Sequence, residues 1–204
     1  WSLRSIFGRI NYDYQGKYLF EANMRYDGSS RFAEGNKWGI FPSVSAGWRI
    51  SEEAFWEPIR NIIDNLKFRA SWGQLGNQNV MNADNSAIDP YPFSSNVNLD
   101  TKYIFDKTIS SGAAITNMAN RKITWETTTS TDIGIDATLF GKLNITTDYF
   151  YKVTDDILMK LNVPLIIGMD APSQNAGKME NRGWEVSLSY ADQVGDFNYR
   201  ASFN

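Results

Sequence analysis

The sequence predicts an all-β chain, an antiparallel up-and-down transmembrane β-barrel wall of about eight strands, and three observations predict it. Apolar and polar residues alternate for about ten residues on either side of tight turns, the length a tilted strand needs to cross a bilayer. The apolar faces so defined contain no Asp, Glu, Lys or Arg, and such residues cost about 2–4 kcal/mol at mid-bilayer. The connections alternate between short and long, as they do when short periplasmic turns face long extracellular loops.

The alternation is cleanest from Thr127 to Tyr151. Thr131, Ile133, Ile135, Ala137 and Leu139 share one face, and after a turn at Phe140, Gly141 and Lys142 the pattern resumes with Leu143, Ile145, Thr147, Tyr149 and Tyr151. Earlier, Ile6, Gly8, Ile10, Tyr12 and Tyr14 form the apolar face of a first strand, and Gln15 and Gly16 turn the chain. Tyr18, Phe20, Ala22, Met24 and Tyr26 then return on the same face, and residues 28–37 read as a polar loop. In the third strand, Trp38 to Ile50, Pro42 cannot donate to a ladder and predicts a bulge or an unpaired position. Residues 51–64 predict one short helix capped by Ser51.

Leu66, Phe68, Ala70 and Trp72 make a fourth strand. Residues 74 to about 122 hold no sustained period and carry Pro90 and Pro92, which predicts a long loop. A second long connection is expected over 153–180, with Pro164, Gly168, Pro172 and Gly177. Trp184, Val186, Leu188 and Tyr190 follow, then a polar turn through Asp192, Gly195 and Asp196, then Phe197, Tyr199, Ala201 and Phe203.

Aromatics crowd the rim of short turns: Tyr12, Tyr14, Tyr18, Phe20, Trp48, Tyr190, Phe197 and Tyr199, as an interfacial belt would. The opposite parity places Arg9, Glu21, Arg25, Asp27, Arg49, Lys67, Arg69, Asp132, Asp136, Asp148, Glu185 and Arg200 on a polar face lining the lumen.

Composition removes whole classes of chemistry. The 204 residues include no Cys and no His, so disulfides, Cys or His catalysis and the common zinc sites are excluded. Twenty basic residues against 23 acidic ones argue against a nucleic-acid partner. No apolar run is long enough for a transmembrane helix. Asn144 opens a glycosylation sequon in mid-strand; Asn82, Asp84, Asn85 and Asp89 miss the spacing of a calcium loop; Gly73 and Gly76 lack the Lys of a phosphate loop. Asp155 and Asp156 are adjacent in sequence and expected to point apart, a poor arrangement for glycosidase chemistry. No catalytic residue, cofactor or metal is therefore expected, and no enzyme.

Trp1 and Asn204 both lie in or beside alternating runs, so the expectation is a piece of a longer polypeptide. Two rival readings of the pattern stay open at this point. One is a small closed eight-stranded membrane barrel acting as an anchor, with the first strand paired to the last. The other is a soluble β-sandwich that binds carbohydrate.

The runs FGRINYDY from Phe7, GKYL from Gly16, RYDGSSRF from Arg25, WGIFPSVSAGWRIS from Trp38, LKFRASWG from Leu66, GN at Gly76, WE at Trp125 and NRGWEV from Asn181 resemble, in order, barrel segments of the SusC/RagA family of TonB-linked (TonB-dependent) outer-membrane transporters. The resemblance implies a barrel of about 22 strands around a plug, with residues 1–204 forming part of the transmembrane domain and the plug absent from this chain. It also implies import of a bulky nutrient, glycan or peptide, across the cell outer membrane with energy from TonB. A SusD-like surface lipoprotein would cover the mouth, and loops 74–122 and 153–180 would meet substrate or that lid. No individual substrate-binding residue is assigned.

Overall fold

The computed structural model describes residues 1–81 and 87–204. Eight strands form one antiparallel sheet in chain order: β1 (Leu3–Tyr14), β2 (Tyr18–Ser29), β3 (Trp38–Arg49), β4 (Ile63–Asn77), β7 (Glu126–Leu139), β8 (Leu143–Lys160), β9 (Ser173–Val194) and β10 (Phe197–Phe203). Between β4 and β7 the chain makes a separate two-stranded hairpin of β5 (Val97–Phe105) and β6 (Thr108–Ile115).

Tight turns set the register. Gln15 and Gly16, and again Phe140 and Gly141, take positive φ, as do Asp106 and Lys107 between β5 and β6. Two consecutive left-handed residues give the turn whose twist matches the flanking strands. Register then carries the side-chain parity from strand to strand. Ile10 faces Ala22, Ala22 faces Val44, and Val44 faces Trp72; farther on, Ala70 faces Ile133, Ile133 faces Tyr149, and Tyr149 faces Trp184. The apolar face is therefore continuous across the sheet.

That face is not covered by a second layer. Ile10 is 69% exposed, Ile133 55% and Trp184 72%, which is incompatible with the inner face of a sandwich and expected of a surface that meets lipid. The small closed barrel fails as well, because β1 and β10 are the two opposite edges of the sheet.

Several local expectations change. The single Ser51-capped helix is instead two 3-10 turns, Ile50–Glu52 and Ala54–Ile59, separated by an extended Glu53, and neither has a side-chain cap. Ser51 is buried and its hydroxyl bonds Asn65 Oδ1 at 3.2 Å; Pro58 supplies no N–H for an α-helical ladder. Pro42 causes no bulge. It pairs with Met24 on one side and lies just beyond the end of the β3–β4 ladder at Ser43, the unpaired position that a residue without N–H requires.

The long loops are smaller than expected. β4 runs to Asn77, and the β5–β6 hairpin occupies part of 74–122. It escaped the pattern because apolar residues lie on both of its faces and its register shifts between Asn98 and Thr101. The connection expected over 153–180 narrows to residues 161–172, since β8 has 18 residues and β9 has 22. Those extensions carry Asp155, Asp156, Lys178 and Glu180, and a strand with water on both sides shows no alternation.

The buried core lies at the end of the long connections. Phe32, Phe41, Val80, Ile123 and Trp125 cluster there, with Leu158 packed against them. Trp125 donates its indole N–H to Lys37 O at 3.1 Å, and Arg31 bonds Asn79 Oδ1 at 2.8 Å beneath the Trp1 ring. Side chains at Gly39 and Gly76 would collide with the Phe41 ring, so packing rather than phosphate binding accounts for Gly76. Gly73 likewise lies against Ser43. Phe32→Ala is expected to weaken this core by about 3–5 kcal/mol, read as faster amide exchange at Thr124 than in the parent while the centre of β2–β3 is unchanged; equal exchange at Thr124 would refute it.

Candidate functional site: the polar face and its rims

The polar face is built by the same register. Each residue of the predicted lumenal set falls on it by register, and the structure gathers several of the charges into local pairs. Arg9 donates to Asn23 Oδ1 at 2.6 Å and lies 3.9 Å from Glu21. Arg25 pairs with a buried Asp27 at 3.2 Å. Arg200 donates to Ser189 at 3.1 Å. Arg49 stands opposite Lys67 in register, and Glu185 opposite Asp148.

The centre of the face is a three-residue ion cluster that spans three strands. Arg69 on β4 donates Nε to Asp136 Oδ2 at 2.7 Å and Nη2 to Asp148 Oδ1 at 2.8 Å. Asp148 lies on β8, two strands from Arg69, and Gly134 of β7 stands between them in register. A Cβ at Gly134 would collide with Asp148 Oδ1 and come within 2.8 Å of Arg69 Nη2. The guanidinium reaches Asp148 because β7 has no side chain there. At the cluster an open depression of about 460 Å³ is lined by Arg69 together with Glu21, Ser45, Lys67, Ser71 and Asp132.

This arrangement ties each of these carboxylates to a cation. Asp136 and Asp148 share one guanidinium, so neither stands poised as a free base. Asp155 is paired with Lys178 at 3.2 Å, and Asp156 is held in a left-handed backbone conformation whose carbonyl accepts from Asn175. Asn144 is a strand residue that accepts from Thr138 at 2.9 Å. Asn82, Asp84 and Asn85 lie outside the described residues, whereas Asp89 accepts from the Tyr91 amide and donates its own to Val80 O.

Two acid–lysine–aromatic clusters at the rim of short turns escaped the sequence reading. In the first, the extended Glu53 accepts from Tyr18 at 2.7 Å, Lys17 at 3.2 Å and Trp48 at 3.3 Å. In the second, Asp192 pairs with Lys142 at 2.8 Å and accepts from Tyr190 at 3.0 Å and Tyr199 at 3.4 Å. Both lysines follow the glycine of a tight turn, at Gly16 and Gly141, and that repeated Gly-Lys was the available signal. Aromatic rings neighbour one another within each cluster: Tyr14 to Tyr18 and Tyr18 to Trp48 are each 6.4 Å apart, and Tyr190 to Tyr199 is 6.0 Å.

The Tyr18 hydrogen bond, then that of Lys17, hold the Glu53 carboxyl below the ordinary glutamate range, against a smaller opposing effect of burial. A depressed folded-state pKa means that the contribution is complete above the unfolded value and is lost as pH falls through the lower folded one. Acidification below the ordinary glutamate range is therefore expected to release Trp48 and change its fluorescence, and Trp48→Phe should abolish that transition. A transition that persists in Trp48→Phe would sink the assignment. Separately, Gly134→Ala is expected to break the Arg69–Asp148 bond and cost about 1–3 kcal/mol, read as a lower temperature for loss of the folded, heat-modifiable gel band. An unchanged temperature would show that the cluster contributes nothing.

Comparison with known proteins places this geometry. The family model described as TonB dependent receptor-like, beta-barrel matches residues 1–204. TonB-dependent receptor P26 of Formosa agariphila is 37% identical over 202 residues, 98% of this chain and 19% of that protein. TonB-dependent receptor SusC of Bacteroides thetaiotaomicron is 37% identical over 214 residues, 100% of this chain and 20% of that protein. The solved RagAB peptide importer in its closed-closed state superposes with a TM-score of 0.83 at 29% identity, covering 98% of this chain and 21% of the other. The chain thus spans about a fifth of the length of the curated relatives it matches.

Proposed function

This chain belongs to the TonB dependent receptor-like β-barrel family, and from that membership we propose that it is part of the wall of an outer-membrane importer. The importer carries a bulky nutrient, a glycan or a peptide, inward with energy relayed through TonB. The observation that carries the reading is the pair of opposed faces on one open sheet. One is apolar and exposed, with charges such as Arg4 and Arg182 only toward its ends; the other carries charges, several of them paired and hydrogen-bonded. A wall of this kind separates lipid from a hydrated path.

The rim of Gly-Lys turns and aromatics is then periplasmic, and the connections 78–125 and 161–172 are extracellular. A surface lipoprotein similar to SusD would sit over that outer rim, as the name RagAB suggests for a two-component neighbour. TonB and the plug belong, in this reading, to the greater length that the relatives possess. The wall residues hold no catalytic role; they bind water, orient charge and resist collapse.

In cells that make the full-length protein, fractionation should recover it from the outer membrane. Uptake of a labelled oligosaccharide pool or a labelled oligopeptide pool should depend on it and stop when TonB is removed. Uptake of both pools that is unchanged on deletion of the protein would overturn the proposal. Dependence on one pool alone would assign the substrate class.

A further inference from the structure

On the rim of short turns one connection is longer than the others, residues 50–62 between β3 and β4. It is a built body rather than a loose strap. Arg60 Nη2 donates to Ser51 O at 2.6 Å and lies 3.4 Å from Glu52 Oε2. The Trp56 indole N–H donates to Ile63 O at 3.1 Å, and Ile62 O accepts from Phe140 N, in the next tight turn, at 3.0 Å.

Hydrogen bonds decide which side of the wall this connection takes. Tyr18 and Trp48 are register partners on the apolar face, and the Glu53 carboxylate accepts from the polar tips of both, at 2.7 Å and 3.3 Å. Glu53 opens the second 3-10 turn, so Ala54 and Phe55 follow it on the side of the apolar face. Phe55 is 65% exposed, and Ile59, Ile62 and Phe140 are exposed as well. Glu52 and Glu57 flank Arg60 at 3.4 Å and 3.8 Å, so the same connection presents charge of both signs.

We propose that residues 50–62 form a foot lying in the phospholipid boundary of the periplasmic leaflet. Phe55 enters the headgroup ends of the acyl chains, and Glu52, Glu57 and Arg60 stay among headgroups that carry phosphate and ammonium together, as phosphatidylethanolamine does. The inference rests on the importer reading above, which makes the apolar face lipid-facing and this rim periplasmic. Two observations select lipid over a protein. The foot continues, through Tyr18 and Trp48, the face that meets lipid, whereas a plug or a cargo lies against the opposite face. Its make-up, aromatic and aliphatic side chains beside charge of both signs, is that of a segment lying in the interface, where apolar side chains reach about 5–10 Å into the boundary. A foot so seated fixes the height of β3 and β4 in the bilayer.

The test uses the full-length transporter, with any other cysteine replaced, in vesicles of phosphatidylethanolamine and phosphatidylglycerol. Phe55→Cys carries a bimane fluorophore; Asp196→Cys, in a short turn of the same rim, and Ile40→Cys, on the apolar face, carry it as references. A lipid with its nitroxide near the headgroup is expected to quench the label at position 55 at least about twofold more than the label at 196, as a depth of a few ångströms requires, and aqueous iodide is expected to do the reverse. Ala54→Cys takes the label if Phe55→Cys loses the heat-modifiable barrel band. Iodide quenching at 55 as strong as at 196, or shielding of 55 from both quenchers by a protein segment, overturns the foot while the label at Ile40, quenched only by lipid nitroxides, leaves the wall standing. Quenching of the Ile40 label by iodide rather than by lipid overturns the lipid-facing wall, and with it the importer reading.

Discussion

Backbone N–H and C=O groups facing hydrocarbon have no water to bond, and the structure follows from that constraint. Only unbroken ladders meet it, so each strand pairs along most of its length with a neighbour in chain order. Parity is then locked from β1 to β10. A one-residue slip would carry a whole strand's charges to the lipid side, which is why the tight turns at Gln15–Gly16 and Phe140–Gly141, with both residues left-handed, matter beyond their size.

The same constraint explains how the charges are held. A strand delivers one polar side chain every second residue to the lumen, and neighbouring strands bring those side chains close together. Arg69 has carboxylate partners on two different strands because β7 offers a glycine between them. Where the charges pair in this way, the side chains hold one another in place across neighbouring strands.

At the two rims the chain leaves the lipid and the rules change. The inner rim pairs each Gly-Lys turn with a carboxylate and two aromatic side chains, so the headgroup boundary is marked by bonds as well as by rings. At the outer rim β8 and β9 continue upward, a small aromatic core of Phe32, Phe41 and Trp125 closes the base, and the hairpin is tied to Asp170. Stability there comes from ordinary burial.

The sequence by itself determined the eight strands, their faces and the identity of most lumenal charges, because a period of two survives wherever one side meets lipid and the other water. The GWRIS and NRGWEV runs pointed to the family for the same reason: they are pieces of that wall. Only the tertiary structure decided that Arg69 reaches across Gly134, that Glu53 folds back on Tyr18 and Trp48, and that β8 and β9 extend through 153–160 and 173–180. It alone revealed the β5–β6 hairpin and joined it to Asp170. Those contacts link residues far apart in sequence, and above the bilayer both sides of a strand meet water, so no alternation remained to announce them.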